Sequence, residues 1–113
     1  MDPRPLREVE HALEMAQGVI GAAQVTLRLP ACHSLKDKRQ VLAGLLRRIR
    51  TKFSVAVAEV SDQDRWQLAG VAVVCVSTDH AQADRVLAST LSFLRAGEGD
   101  YHVADVSTEL ITL

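Results

Sequence analysis

Cysteine is scarce in this sequence, and the two cysteines lack the spacing of a functional pair. Cys32 and Cys75 lie far apart and form no CxxC motif. Two cysteines are too few for the disulfide framework of a small secreted domain, and a zinc or redox site of the common kind needs closely spaced pairs. We therefore expect both to be reduced thiols in a cytoplasmic protein.

Long apolar runs are also missing from the 113 residues. Every run is much shorter than the ~18 residues that a membrane-spanning helix needs. The N terminus lacks the basic stretch followed by an apolar one that marks a secretory signal. The sequence therefore predicts a soluble single domain with no membrane partner, long enough to bury a core without disulfide or metal staples.

Aromatic residues make up 4% of the chain, and asparagine is absent. The sheet of an RNA-recognition motif stacks bases on aromatic side chains, whereas the strand-like segments here carry mostly Val, Leu, Ala and Cys. An acylphosphatase would need an arginine in the loop at residues 30–34, which reads PACHS, and an asparagine on a strand. These absences disfavour both classes of protein.

Hydrophobic periodicity predicts four strands and two long helices. Alternation of apolar and polar residues predicts strands, and apolar residues at helical spacing predict helices. The chain becomes β-like at Gly18, and the predicted strands are residues 24–29, 53–60, 66–76 and 101–113. The predicted helices are residues 35–52 and a segment that Thr78 or Asp79 can cap and that Gly97 and Gly99 stop.

The order strand, helix, strand, strand, helix, strand predicts a ferredoxin-like α+β fold for residues 18–113. With right-handed crossovers it gives a βαββαβ sandwich, in which two helices cover one face of a four-stranded antiparallel sheet and the first and third strands are central. Residues 68–76, LAGVAVVCV, are apolar on both faces, as in a strand covered on both sides. We therefore expect a partner on the open face of the sheet, either the N-terminal segment or a second copy, with a homo-oligomer, above all a dimer, favoured.

Residues 1–17 are predicted to precede this domain as an extension. Leu6, Val9, Leu13 and Ala16 are spaced as on one face of a helix. This spacing predicts a short amphipathic helix. The alternative is a frayed or disordered segment.

Positive charge is concentrated in one part of a nearly neutral chain. The formal net charge is −1, yet Asp37 is the only acidic residue in residues 28–53, which are rich in lysine and arginine. Four cations fall within an arc of about 80° on the predicted helix and span roughly 20 Å: Lys36, Arg39, Arg47 and Arg50. Such a ridge can contact several RNA phosphates without reading sequence, and the alternative is an ordinary solvated helix face.

The start of the predicted helix carries an unusual set of charges. Ser34 and Asp37 form a capping-box pattern. The same turn also holds three cations, Lys36, Lys38 and Arg39. A cation at the positive end of a helix lowers the stability of the helix by about 0.3 to 1 kcal/mol. Glu59 lies on an otherwise apolar strand face, where a carboxylate needs a cation as a partner, so we expect it to lie near one of the three. The remaining excess predicts that sulfate or phosphate binds near Ser34 to Arg39.

Several reactive or aromatic side chains are interpreted as structural. Cys32 and His33 are adjacent, but a nucleophile and a base must meet in space with an orienting third group, and nothing in the sequence supplies one. Trp66 beside Arg65 could stack on a base, but packing of the tryptophan at a strand end is the favoured interpretation. No metal-ligand spacing joins the other histidines, His11, His80 and His102. The sequence thus predicts no catalytic residue, metal site or cofactor.

Four segments of the chain resemble a known family. They are SLKDKR at 34–39, FSVAVAEV at 53–60, DQDRW at 62–66 and VAVVCVSTD at 71–79. They are similar to the YlxP-like family, small bacterial proteins of uncharacterised activity with a ferredoxin-like fold. The resemblance implies that fold, implies that residues 1–17 are an addition to it, and, through the usual gene neighbourhood, implies a role associated with translation.

The sequence as a whole predicts a non-enzymatic binding module of the bacterial cytoplasm. We expect it to contact RNA or a ribonucleoprotein such as the ribosome through the first helix. The expected binding residues are Ser34, Lys36, Lys38, Arg39, Arg47 and Arg50. The alternative is a homo-oligomeric protein-interaction or small-anion-sensing domain that uses the open face of the sheet.

Overall fold

The computed structural model describes residues 17–113, which form four strands and two helices. The elements are β1 (Val19–Arg28), α1 (Leu35–Lys52), β2 (Ala56–Ser61), β3 (Leu68–Ser77), α2 (His80–Ala96) and β4 (His102–Thr112). The predicted element order is confirmed, and the helix predicted for the N-terminal extension lies outside the described residues. Among the residues described, no helix is long and apolar enough to cross a bilayer.

The strands form one antiparallel sheet in the order β2-β3-β1-β4. β1 pairs with β3 from Val19 opposite Ser77 to Arg28 opposite Leu68, and with β4 along its other edge. Both helices pack on one face of this sheet, and the core between the layers includes Val25, Leu27, Leu45, Ile49, Val71, Val73, Leu87 and Leu94. This is a ferredoxin-like βαββαβ fold with β1 and β3 at the centre, as the sequence predicts.

The second helix, α2, begins and ends as its sequence predicts. Asp79 caps the start, where its carboxylate accepts a hydrogen bond from Gln82 N at 2.7 Å. The N–H of Gly97 at the C-cap donates to Phe93 O at 3.1 Å. Thr90, buried in the stripe that faces the sheet, donates its hydroxyl to the carbonyl one turn earlier at 2.9 Å, so this polar group is satisfied inside the helix.

The second strand begins later than the alternating pattern predicts, at Ala56 instead of Phe53. Phe53 ends α1, because its N–H donates to Ile49 O at 2.9 Å. Its ring meets the Phe93 ring of α2 edge-on, with centroids 5.6 Å apart. Phe53, which the pattern predicts as the first inward-facing residue of the strand, therefore packs between the two helices.

The face of the sheet opposite the helices is apolar at one corner. Ile20 lies between Val76 and Ile111 in one cross-strand row, and Val76 is 75% exposed. Toward the middle of this face lies a shallow depression of about 330 Å³, lined by small residues such as Ala22 and Ala72. Within the part of the chain that the structure describes, no element packs on this face, so the predicted partner stays a prediction.

Candidate functional site

The first helix, α1, begins with a cap that supplies its own anion. Ser34 Oγ accepts a hydrogen bond from Asp37 N at 3.0 Å, and Asp37 Oδ2 accepts one from His33 N at 2.9 Å. The predicted capping box is confirmed, although the carboxylate bonds the residue before the cap instead of the cap itself. Asp37 thus places negative charge at the positive end of the helix and offsets part of the cost of its cationic neighbours.

Lys38 points into the protein and pairs with Glu59. Its side chain is 2% exposed, and Nζ donates to Asp62 O at 2.6 Å and to Arg65 O at 2.7 Å. Nζ also lies 2.7 Å from Glu59 Oε2, so the ammonium and the carboxylate form an ion pair. The prediction that Glu59 lies near a cation of the helix start is confirmed.

The burial of Lys38 shows that the prediction of this residue as part of the binding surface is wrong. An ammonium group has three protons, and those of Lys38 face two loop carbonyls and one carboxylate. Lys38 therefore has no donor left for an external anion, and it does not belong to an exposed binding surface. The sequence contains a signal for this, because Lys38 falls on the same helical stripe as Leu42, Leu45 and Ile49.

The contacts of Lys38 fix the β2–β3 connection, residues Asp62–Gln67, which we call the clamped loop. Two backbone carbonyls of the loop hold the Lys38 ammonium. Arg65 N also donates to Asp62 O at 3.0 Å, and Asp62 adopts a left-handed backbone with φ of 59°. The loop is therefore a defined turn built on a buried charge.

The end of the clamped loop is tied to the β1–α1 connection through Gln67. Its Nε2 donates to Pro30 O and to Cys32 O, each at 3.1 Å. Its carbonyl accepts from Leu29 N at 3.0 Å. The side chain of Gln67 thus bonds the β1–α1 connection, and β3 begins after it, at Leu68, instead of at residue 66 as the apolar pattern predicts.

Four cations of α1 are exposed on its outer side: Lys36, Arg39, Arg47 and Arg50, which we call the basic ridge. Within residues 17–113 the ion pairs involve Lys38, Arg65 and His102, and none involves the ridge. Arg50 differs from the other three, because one guanidinium nitrogen donates to Val57 O at 2.8 Å. That bond anchors the side chain and uses a small part of its hydrogen-bonding capacity.

Two more cations widen the positive surface beyond the predicted ridge. Arg48 and Lys52 are both exposed. Lys52 Nζ lies 5.1 Å from the centre of the Phe93 ring, a cation–π contact that fixes the charge near the surface. Together with Arg47 they line a depression of about 300 Å³ beside Phe93 of α2. Both residues lie on α1 but outside the arc that contains the four predicted cations, so helical spacing did not place them in the ridge.

Trp66 is 51% exposed on the clamped loop. The favoured sequence interpretation, a tryptophan packed at a strand end, is therefore wrong. Its neighbour Arg65 has a side chain that is 65% exposed, and a depression of about 210 Å³ beside it is lined by Arg28, Pro30, Arg65, Gln67 and Leu68. A turn has no periodicity, so the sequence pattern carries no signal for the exposure of this side chain.

Cys32 is buried in the β1–α1 connection, as predicted for a structural cysteine. Burial raises the pKa of its thiol, and the negative charges of Asp37 and Asp100 raise it further. The group is therefore a neutral thiol at neutral pH, which is a poor nucleophile. In the described part of the chain, no group of His, Cys, Asp and Glu side chains is placed to hold a metal ion.

Comparison with known proteins identifies the relatives of this chain. The family described as "Protein of unknown function (DUF503)" matches residues 20–108. The chain belongs to this family. The DUF503 chain is 34% identical over 76 residues to the uncharacterized protein YlxP of Bacillus subtilis (strain 168), a match that covers 67% of this chain and 83% of that protein. The resemblance to YlxP-like proteins is confirmed.

Solved structures show remote likenesses to the DUF503 chain. The de novo designed protein Foldit4 is 17% identical with a TM-score of 0.47, over 81% of this chain and 96% of that one. SnoaB, a cofactor-independent oxygenase from Streptomyces nogalater, is 19% identical with a TM-score of 0.43, over 87% and 94%. Likeness at this level carries no information about what the DUF503 chain does.

Proposed function

We propose that this protein is a non-enzymatic cytoplasmic binding module that contacts RNA, or a ribonucleoprotein such as the ribosome, through the basic ridge of α1. The observation that carries the proposal is a contrast between cations of one helix. Lys38 is buried and matched from within the molecule. The ridge is exposed, and no carboxylate of residues 17–113 pairs with it. Exposed cations without a carboxylate partner among residues 17–113 favour an external polyanion.

A helix of this kind fits a phosphate backbone. α1 has 18 residues, which make it about 27 Å long at ~1.5 Å per residue. Each phosphate that a lysine or arginine neutralises releases condensed counterions, so the affinity falls as the salt concentration rises. Contacts to phosphates position a protein on a nucleic acid but do not read its sequence. We therefore expect binding that is tight at low salt and weakly dependent on sequence.

The first turn of α1 forms one end of the proposed interface. Lys36 and Arg39 are exposed there, while the Ser34 hydroxyl oxygen already accepts the amide of Asp37. We assign the contact with phosphate to the two cations, and to Ser34 the shaping of the turn that carries them. Titration with inorganic phosphate followed by NMR checks this: the amides from Ser34 to Arg39 should shift, and unshifted amides at millimolar phosphate argue against an anion site.

Charge reversal on the ridge tests the proposal against a matched control. Arg39→Glu combined with Arg47→Glu changes the net charge as much as Arg85→Glu combined with Arg95→Glu on α2, where both arginines are also exposed. In fluorescence anisotropy titrations with single-stranded RNA at low salt, we expect the ridge variant to lose at least about tenfold in affinity and the α2 variant less than about twofold.

A salt series completes this test. For the unmodified protein, the logarithm of affinity should fall linearly with the logarithm of salt concentration, by about 0.7 for each phosphate contacted on a single strand. The ridge variant should give a shallower slope, because it makes fewer such contacts. Equal losses in the two charge-reversed variants, or equal slopes, would show that the ridge is an ordinary solvated helix face.

The open sheet face supports a second candidate function, a homo-oligomeric protein-interaction or small-anion-sensing domain. The observation in its favour is the apolar corner where Ile20, Val76 and Ile111 lie in one row, with Val76 largely exposed. Burial of such a corner between two copies would stabilise a dimer. Sedimentation at micromolar concentration should then show a dimer that Val76→Glu dissociates, and a monomeric protein at that concentration removes this candidate.

A further inference from the structure

The exposure of Trp66 is not explained by the fold. The other aromatic side chains in the described residues contribute to the core: Phe53 and Phe93 pack against it, and Tyr101 is buried and donates its hydroxyl to Leu94 O at 2.6 Å. Trp66 leaves half of the largest apolar side chain in water. An amphipathic ring with that exposure is a common anchor for a binding partner.

The loop that carries Trp66 is rigid for reasons visible in its contacts. The Lys38 ammonium bonds the carbonyls of Asp62 and Arg65, and Gln67 bonds the β1–α1 connection through both its side chain and its backbone. Trp66 therefore lies between two fixed residues. The conformational entropy of the loop is lost when the protein folds, and not again when a partner binds, so the ring is preorganised for contact.

Trp66 has an exposed cation next to it in the clamped loop. Arg65 is adjacent in sequence and largely exposed, and it lines a depression together with Arg28. The Lys38 Nζ bond to Arg65 O holds the loop against the first turn of α1, which also carries Lys36 and Arg39. Two acidic residues share the loop, Asp62 and Asp64, and the Asp62 carboxylate lies 3.8 Å from the Arg65 guanidinium. Arginine beside an exposed aromatic ring suits a nucleic acid, because bases stack on the ring while the cation attracts the phosphate backbone.

We propose that Trp66 stacks on an unpaired base of the RNA that the basic ridge holds. The inference rests on the proposed function and deepens it, because it names the ligand as single-stranded or looped RNA instead of a duplex. A base in an A-form helix has both faces covered by its neighbours, while an unpaired base offers a free face to an aromatic ring. Arg65 stabilises the same nucleotide by its charge.

The chain has one tryptophan, so its fluorescence reports directly on this contact. The probes are a short single-stranded RNA of mixed sequence and the duplex that it forms with its complement. We expect the single strand to quench Trp66 emission. Trp66→Ala should weaken single-strand binding by about 5- to 100-fold, and Trp66→Phe should recover much of that affinity. Affinity for the duplex should change less than about twofold in both variants, because phosphate contacts dominate it.

Each outcome separates this inference from the proposed function. If Trp66→Ala weakens both RNAs equally or neither, and the emission does not respond, stacking is overturned while ridge-dependent binding stands. If neither RNA binds at low salt, the proposed function fails and stacking fails with it. A blue shift of the emission with protein concentration, in the absence of RNA, overturns stacking by placing Trp66 between two copies. Thermal melting monitored by circular dichroism confirms that the variants are folded.

Discussion

At the scale of single residues, Lys38 and Trp66 have roles opposite to those that the sequence predicts. Lys38 was expected on the binding surface and lies in the core, whereas Trp66 was expected to be packed and is exposed. Both residues belong to one set of contacts, because the buried ammonium takes its acceptors from the backbone of the clamped loop that carries Trp66. Helical spacing can predict that Lys38 is buried, but a contact between distant parts of the chain is not encoded in a local pattern.

Lys38→Met tests the structural role of the buried ammonium. The substitution keeps an unbranched apolar stem but removes the terminal nitrogen, so Glu59 and two loop carbonyls lose their donor. We expect the free energy of unfolding to fall by about 2 to 4 kcal/mol, near or slightly below the ~3 to 5 kcal/mol of a fully buried pair, because the Glu59 side chain is 21% exposed. Urea denaturation measures the change.

Glu59→Gln is the matched comparison for that variant. It replaces the charged acceptor by a neutral amide and leaves both carbonyls to hold the ammonium. The expected loss is smaller, about 1 kcal/mol, because an amide oxygen can still accept a hydrogen bond. If Lys38→Met is no less stable than Glu59→Gln, the ammonium is not what holds the clamped loop.

At the scale of elements, α1 is the part of the structure best predicted from the sequence. Its range, Leu35–Lys52, and its Ser34 cap agree with the prediction. These features depend on neighbours within four residues, which local patterns describe well. The start of β2 was predicted less well, because Phe53 bonds the end of α1 and its ring contacts Phe93 on a different helix.

The capping box of α1 gives an element-scale prediction. Ser34→Ala removes the acceptor for the Asp37 amide and should lower the free energy of unfolding by about 1 kcal/mol. Ser92→Ala, at an exposed position inside α2, is the control and should be neutral or slightly stabilising, because alanine is the better helix former. Urea denaturation of both variants checks this, and equal effects would mean that the cap contributes nothing.

At the scale of the whole molecule, the topology follows from the sequence but the partner does not. The order of periodic segments, together with right-handed crossovers, was enough to predict the ferredoxin-like sheet with β1 and β3 at its centre. The surface is less determined. The chain has a net charge of −1, yet seven of its 13 lysine and arginine residues lie on α1, and an apolar corner lies on the face of the sheet opposite the helices. Local patterns do not state which of these surfaces a partner covers.

The most direct test of the central claim is the set of backbone amides that shift when single-stranded RNA is added to ¹⁵N-labelled protein. The account predicts shifts along α1, from Lys36 to Arg50, and in the clamped loop at Arg65 and Trp66, with β4 unaffected. Shifts confined to the open sheet face around Val76 and Ile111, with the amides of α1 unchanged, would contradict it.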